Sequence, residues 1–369
     1  MNILHVLEDY SLLSGGLRTV VKELNEHLND YEGVNSYIVS SKKEEEDEVY
    51  VVSSSQGKSW LYSKDWKRVL EFFLIEKNIE IIHIHGVWMF PQHIAARLAV
   101  KNKIPFILTP HGMYEPWLWT KGTLKKKLYF QILSKNLFSK AFRIHAITKD
   151  EKNNFKKLFS KSEFVEIPNL IKNKDIHLQN MKVNNEKYIL YLGRLNEKKG
   201  IDILIKSFSN LKDKSIKLKI AGDINEYKNK LDTLVSQLNL EKRIEFLGLV
   251  KGQQKNDLYR NAYVFVAPSF SEVVGMVNLE AALQQTPVIT TYQTGLKKEW
   301  NDNGGILINP NQNELAFALE KAINWSLEER NRNGNKLFQF VKKNYSWESR
   351  TLDWVELYKS ALNYKNNYS

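Results

Sequence analysis

Short apolar runs alternate with amphipathic segments along the whole chain, and this alternation limits the fold more than any other feature. Residues 3–7 (Ile-Leu-His-Val-Leu), 81–85, 105–109 and 143–147 are apolar stretches bounded by chain breakers. After the first of them, Leu17, Val20, Val21, Leu24 and Leu28 recur at helical spacing. The second half repeats the pattern at residues 188–192, 217–221, 244–246, 262–267 and 287–290. Strands separated by helices form parallel sheets with helices on both faces. A chain of 369 residues exceeds one ordinary domain, and 43% hydrophobic residues are enough for two cores. The expectation is α/β, with doubly wound domains over residues 1–171 and 187–345. The polar stretch 172–186, rich in Lys and Asn, is the expected linker. In the tail, 346–369, Trp347, Leu352, Trp354, Val355, Tyr358 and Leu362 form one apolar face.

Composition narrows the function. No run of eighteen apolar residues exists, so no membrane span is expected. The N-terminus opens directly on a strand-like segment without a basic leader, and there is no cysteine. Disulfide and thiol chemistry are excluded, and a reducing cytoplasm fits. A formal charge of +12 points to anionic partners, phosphates or a lipid surface. No nucleic-acid recognition module is present, so nucleic acid is not an expected partner. The charged stretch 42–48 reads as a surface loop without a function.

The segment 269–280, Ser-Phe-Ser-Glu-Val-Val-Gly-Met-Val-Asn-Leu-Glu, carries the chemistry. It follows the strand-like residues 262–267, so Glu272 falls in a strand-to-helix loop and Glu280 about a turn inside the helix. A helix N-terminus at the carboxyl end of a parallel strand is an anion site, because its first N–H groups are unpaired and its dipole end is positive. Gly275, Met276 and Val277 would present those groups. Two carboxylates beside them suit a ligand with both phosphates and hydroxyls, such as a nucleotide sugar. In residues 191–200, Tyr-Leu-Gly-Arg-Leu-Asn-Glu-Lys-Lys-Gly, Arg194 and Lys199 follow another strand and offer a bidentate and a point charge to a diphosphate. The bland account of this pair is two solvated cations in a lysine-rich protein.

Together these motifs resemble the retaining glycosyltransferases of family 4, the group 1 glycosyltransferases with the GT-B fold, and Pro116 with Trp117, following His111-Gly-Met, is similar to the branch acting in exopolysaccharide and O-antigen assembly. Glu272 and Glu280 match that family's Glu-x7-Glu motif. Residues 3–7 with Gly15 and Gly16 match its first strand and glycine loop, and His111 in Thr-Pro-His-Gly-Met matches its N-domain histidine. Pro168 and Asn169 match the end of that domain, and residues 191–200 match its phosphate motif. Val273, Gln285 and Leu170 stand where glycine is usual. A valine after Glu272 would be strained if that loop needs positive φ.

The resemblance implies two Rossmann-like domains facing across a cleft, with the C-terminal helix returning to the N-domain. It implies transfer of a sugar, with retention, from a UDP- or GDP-sugar to a glycan or lipid-linked acceptor in surface polysaccharide synthesis. Glu280 would hold the ribose and Glu272 the transferred sugar. Arg194 and Lys199, with Gly16 and the Gly275–Met276–Val277 turn, would hold the donor, and His111 would act near the reaction centre. Fixed cations can stabilise the leaving phosphate, so neither a metal nor another cofactor is expected. Two carboxylates also suit a glycoside hydrolase, although that chemistry does not need a phosphate site. A GT-B epimerase or phosphorylase and a non-catalytic sugar-nucleotide-binding protein stay open.

Gly15, Trp88, Tyr114, Trp117 and Asn169 are candidates for the acceptor or sugar cleft; the aromatic residues equally suit covering the N-domain. His83, His85 and His93 lack acidic neighbours at ligand spacing and read as packing residues. Residues 117–148 contain no acid but seven cations, with Leu124, Leu128, Ile132 and Leu133 on an apolar side. That combination suits peripheral docking on an anionic membrane at its cytoplasmic face, with an amphipathic helix covering the sheet as the bland alternative.

Overall fold

The structure is a computed structural model that describes residues 1–116, 119, 123–172 and 187–368. The expected linker, apart from Lys172, lies outside the described residues, as do Trp117 and Lys121. The chain forms two compact units: Met1–Leu170 with Arg350–Ser369, and Ile171–Ser349.

The first unit contains β1 (Asn2–Val6), β2 (Asn35–Ser40), β3 (Tyr50–Val51), β4 (Ile81–His85), β5 (Phe106–Thr109), β6 (Arg143–Ala146) and β7 (Phe164–Glu166). They pair in the order β3-β2-β1-β4-β5-β6-β7, parallel throughout. In the second unit, β8 (Tyr188–Leu192), β9 (Lys217–Ala221), β10 (Ile244–Gly248), β11 (Val264–Ala267), β12 (Val288–Thr291) and β13 (Ile306–Ile308) pair as β10-β9-β8-β11-β12-β13, again all parallel. The α/β expectation holds. In each sheet the winding direction reverses once, between β1 and β4 and between β8 and β11. Loops leaving the carboxyl ends of those strands form the crevice where doubly wound sheets bind ligands.

Strands covered on both faces read as apolar runs, which is why the central strands were legible. β2, β3, β7 and β13 escaped, being short or, like Asn35–Ser40, polar although largely buried. β4 has two unlike faces. Ile82 and Ile84 enter the main core with Leu4, Val6, Leu108 and Ile144, whereas His83 and His85 point the other way. His5 pairs in register with His83, so three imidazoles share one face. Helix Trp347–Tyr368 covers them: Trp354 lies 5.6 Å from the His83 ring and 4.7 Å from that of His145. Of its expected apolar face, Trp347, Trp354, Val355 and Tyr358 are buried, but Leu352 is 57% exposed. At 100° per residue Leu352 points well away from the Trp347–Trp354–Tyr358 stripe.

Candidate functional site

In the second unit, the loops after β8 and β11 meet at the switch point. Gly200 has φ 66°, and a Cβ there would sit 2.3 Å from the Pro268 carbonyl oxygen. Only glycine permits that approach. The Phe270 N–H donates to the Lys198 carbonyl at 2.8 Å and fastens the two loops. Lys199 Nζ therefore reaches Glu272 Oε1 in an ion pair, and Ser269 Oγ donates to the same oxygen at 3.0 Å. Arg194 is exposed, and its guanidinium has no partner among the described residues. Val273 is not at positive φ, so the strain anticipated for a valine there does not arise.

Helix Met276–Leu283 starts beside this pair, capped by Gly275. A Cβ on Gly275 would lie 2.6 Å from Asn278 Nδ2. The first-turn N–H groups, those of Met276 and Val277 included, have no acceptor within the helix. Asn278 is buried, and neither its Oδ1 nor its Nδ2 has a partner among the described residues. Glu280, one turn on, accepts from Lys255 Nζ at 3.0 Å and from the Tyr259 hydroxyl at 2.9 Å. The helix stops at Gln285, which takes the left-handed conformation itself, φ 55°. The β8 and β11 loops and the first turns of this helix thus bring together the Lys199–Glu272 pair, Glu280 with Lys255, and N–H donors that have no acceptor within the helix.

In the first unit, Gly15 (φ 61°) caps helix Gly16–Asn29, after the loop and short 3-10 turn that follow β1. Among the described residues, nothing outside the adjoining chain lies within 4 Å of where a Cβ on either glycine would be. His111 follows β5 with φ 52°, a conformation uncommon outside glycine. Glu151 holds this turn. Its carboxylate accepts from the Gly112 N–H and the Ile147 N–H, both at 2.7 Å, and burial raises its pKa to about 7 against the pull of those two donors. His111 Nε2 lies 2.9 Å from His85 Nδ1, and His85 Nε2 lies 2.9 Å from His5 Nδ1. Burial pushes His5 and His111 down to about 3 and His145 to about 4; His83 and His85 also fall well below the usual imidazole range.

Trp88 is half-buried and donates through Nε1 to the Met113 carbonyl at 3.3 Å. Tyr114 corrects an expectation: it is 1% exposed, stacked on Trp119 and edge-on to Phe130. Its ring is core and cannot lie on a sugar. Asn169 is half-buried, and Trp117 lies outside the described residues. His93 is buried, as packing requires. Asn278, Glu151, His5 and Glu8 were not singled out from the sequence. Glu8 accepts from Gln92 Nε2 at 2.9 Å, and burial raises its pKa. Glu151 did leave a signal, since Thr148 three residues earlier caps its helix.

Two family models divide the chain between them: Glycosyltransferase Family 4 matches residues 14–173, and Glycosyl transferases group 1 matches residues 172–340. An uncharacterized glycosyltransferase of Methanocaldococcus jannaschii is 30% identical over 358 residues, 94% of each chain. The chain is a glycosyltransferase. This glycosyltransferase is also 28% identical to the O-antigen chain mannosyltransferase of Salmonella typhimurium over 199 residues, 54% of its own length and 55% of the relative's. Its fold is GT-B. An Anabaena protein solved in complex with UDP and glucose superposes with a TM-score of 0.76 at 16% identity, over 98% of this chain and 100% of that one. No helix among the described residues is long and apolar enough to cross a membrane.

Proposed function

We propose that the protein transfers a sugar, with retention of configuration, from a UDP- or GDP-sugar to a glycan or lipid-linked acceptor in surface polysaccharide synthesis. The observation that carries this reading is the Lys199–Glu272 pair set beside the open N-terminus of helix Met276–Leu283. Arg194, Lys199 and the N–H groups of Gly275, Met276 and Val277 hold the diphosphate and take up the charge that develops as the glycosidic bond breaks, so no metal is required for that step. Glu280 accepts from the ribose hydroxyls, and Glu272 orients the sugar. Gly15 and Gly16 leave open space for a phosphate or acceptor, and His111 contributes to the reacting centre. Retention rests on the family resemblance, with the leaving phosphate assisting removal of the acceptor proton. The UDP and glucose held by the Anabaena protein support the donor class, and the Salmonella relative supports the polysaccharide setting.

A peripheral position on the cytoplasmic face of an anionic membrane is part of the reading. Leu124, Leu128 and Ile132 are 71%, 51% and 72% exposed, while Leu133 is half-buried and Phe130 and Phe138 of the same stretch enter the core. Lys125, Lys127 and Lys135 stand exposed among them.

The test is a panel of nucleotide sugars screened for thermal stabilisation, followed by release of nucleoside diphosphate with and without acceptor. A donor at 100 times its Kd adds about 2.7 kcal/mol of stability. If no nucleotide sugar raises the melting temperature, the donor assignment fails. Donor consumption that never requires an acceptor would favour an epimerase or phosphorylase.

A further inference from the structure

The histidine face of the first sheet holds two hydrogen-bonded strings, and the first can be solved for its protons. His145 Nε2 lies 2.8 Å from the Ile167 carbonyl oxygen. A carbonyl only accepts, so the ring proton is on Nε2 and Nδ1 is a lone pair. Thr109 Oγ1, 2.9 Å away, gives that lone pair its single hydrogen. Thr109 then accepts from His83 Nε2 at 2.7 Å, which leaves His83 Nδ1 to accept from the Tyr358 hydroxyl at 2.7 Å. Every member is satisfied with one proton per ring.

The second string is His5 Nδ1, His85 Nε2, His85 Nδ1 and His111 Nε2. Burial keeps these rings neutral, so each again carries one proton. Two directions are possible. If the protons point away from His111, His5 is left with an N–H on Nε2, an atom that is buried without a partner. If they point towards His111, the same atom is only a lone pair. A buried N–H without an acceptor is the rarer defect, so the second direction is the stable one. His5, His83 and His85 also offer ligand atoms within 4.8 Å of one another, but every ring nitrogen of the three except His5 Nε2 is already engaged.

We propose that His85 and His5 are positioning residues that hold His111 as its Nδ1–H tautomer, so that His111 offers the substrate a hydrogen-bond donor and not a basic lone pair. His111 Nδ1 is the nitrogen left for a ligand, having no partner among the described residues, and the ring is half-buried. The ring nitrogen that carries the proton is fixed by the bond the other one makes; here that bond is the His85 Nδ1–H donated to His111 Nε2. The donor is then available to a substrate oxygen. This rests on the glycosyl-transfer reading above.

The experiment is nitrogen NMR of the full chain labelled at the histidine rings, with His111 assigned from His111→Ala, read beside steady-state kinetics. The wild type shows His111 protonated at Nδ1. In His85→Phe, which removes the donor, the proton moves to Nε2, the form an unconstrained imidazole side chain prefers. His85→Gln retains an N–H donor and keeps the Nδ1–H form. The kcat of His85→Phe falls about 10- to 100-fold, as for loss of a partner that orients a functional imidazole, with donor KM nearly unchanged; His85→Gln recovers most of it. Nε2 protonation in the wild type overturns the proposal, whether or not the His85 variants fold. So does an unchanged tautomer in folded His85→Phe. Full turnover by His111→Ala, with the Nδ1–H signal present in the wild type, instead removes the catalytic reading and leaves the tautomer standing.

Discussion

Glu272 and Glu280 are both half-buried carboxylates next to one helix, yet their existing partners differ. Glu272 faces Lys199 and Ser269, where the loops after β8 and β11 meet. Glu280 is tied to Lys255 and to Tyr259, a fully buried ring whose hydroxyl points at it. Replacing Glu280 with alanine should weaken free nucleoside diphosphate about 10- to 100-fold, the worth of one hydrogen bond to a charged group. Glu272→Ala should leave the free nucleotide bound and weaken the nucleotide sugar. Calorimetric titration of both ligands into both variants decides; unchanged nucleotide affinity in Glu280→Ala sinks the assignment. Glu280→Ala also orphans the Tyr259 hydroxyl, at about 1–3 kcal/mol of stability. Glu280→Gln, which still accepts from Tyr259, separates binding from folding. Spacing alone pointed to Glu272, Glu280, Arg194 and Lys199, because motif residues lie within a dozen positions of each other. It could not find Asn278, whose importance lies in being buried and unpartnered, nor Glu151, whose carboxylate reaches back 39 residues to the Gly112 N–H.

At the level of strands, the histidine face makes the first sheet acid-sensitive. His5, His83, His85, His111 and His145 all have folded pKa values below 6.5 because burial disfavours the cation. The unfolded chain therefore takes up these protons first. The stability they contribute is intact above about pH 6.5 and is lost as pH falls towards 3 to 4. Glu151 runs the other way: its folded pKa of about 7 lies above the ordinary 4.5, so its contribution is fullest below 4.5 and declines as pH rises through 7. Glu8, also raised by burial, acts with Glu151, but the five histidines outnumber the two carboxylates. Urea unfolding between pH 6 and 5 should reveal net proton uptake on unfolding. A midpoint that does not move with pH over that interval would show that these rings are not buried and neutral. The strands carrying the histidines were legible as apolar runs, but the cluster was not. His5 meets His85 across 80 residues because β1 pairs with β4, and which strands neighbour each other is not written in any one of them.

For the molecule as a whole, the net charge of +12 can be tested against a lipid surface. If the stretch around Leu124, Leu128 and Ile132 docks on lipid, sedimentation with vesicles should require acidic lipid and weaken with salt, since charges are screened over about 8–10 Å at physiological ionic strength. Changing Lys125, Lys126 and Lys127 to glutamate should release the protein while nucleotide binding persists. Equal sedimentation of wild type and variant would reduce the patch to a solvated face. A different consequence follows from the tail. Residues 350–369 belong to the first unit, and Tyr358 donates to His83 from 275 positions downstream. A ribosome emitting this chain makes residues 1–170 and then spends roughly 10–40 s on the second unit before the covering helix exists. Throughout that interval the imidazole face stands open to water, its string lacking the tyrosine that completes it. The half translated first is the half that finishes folding last.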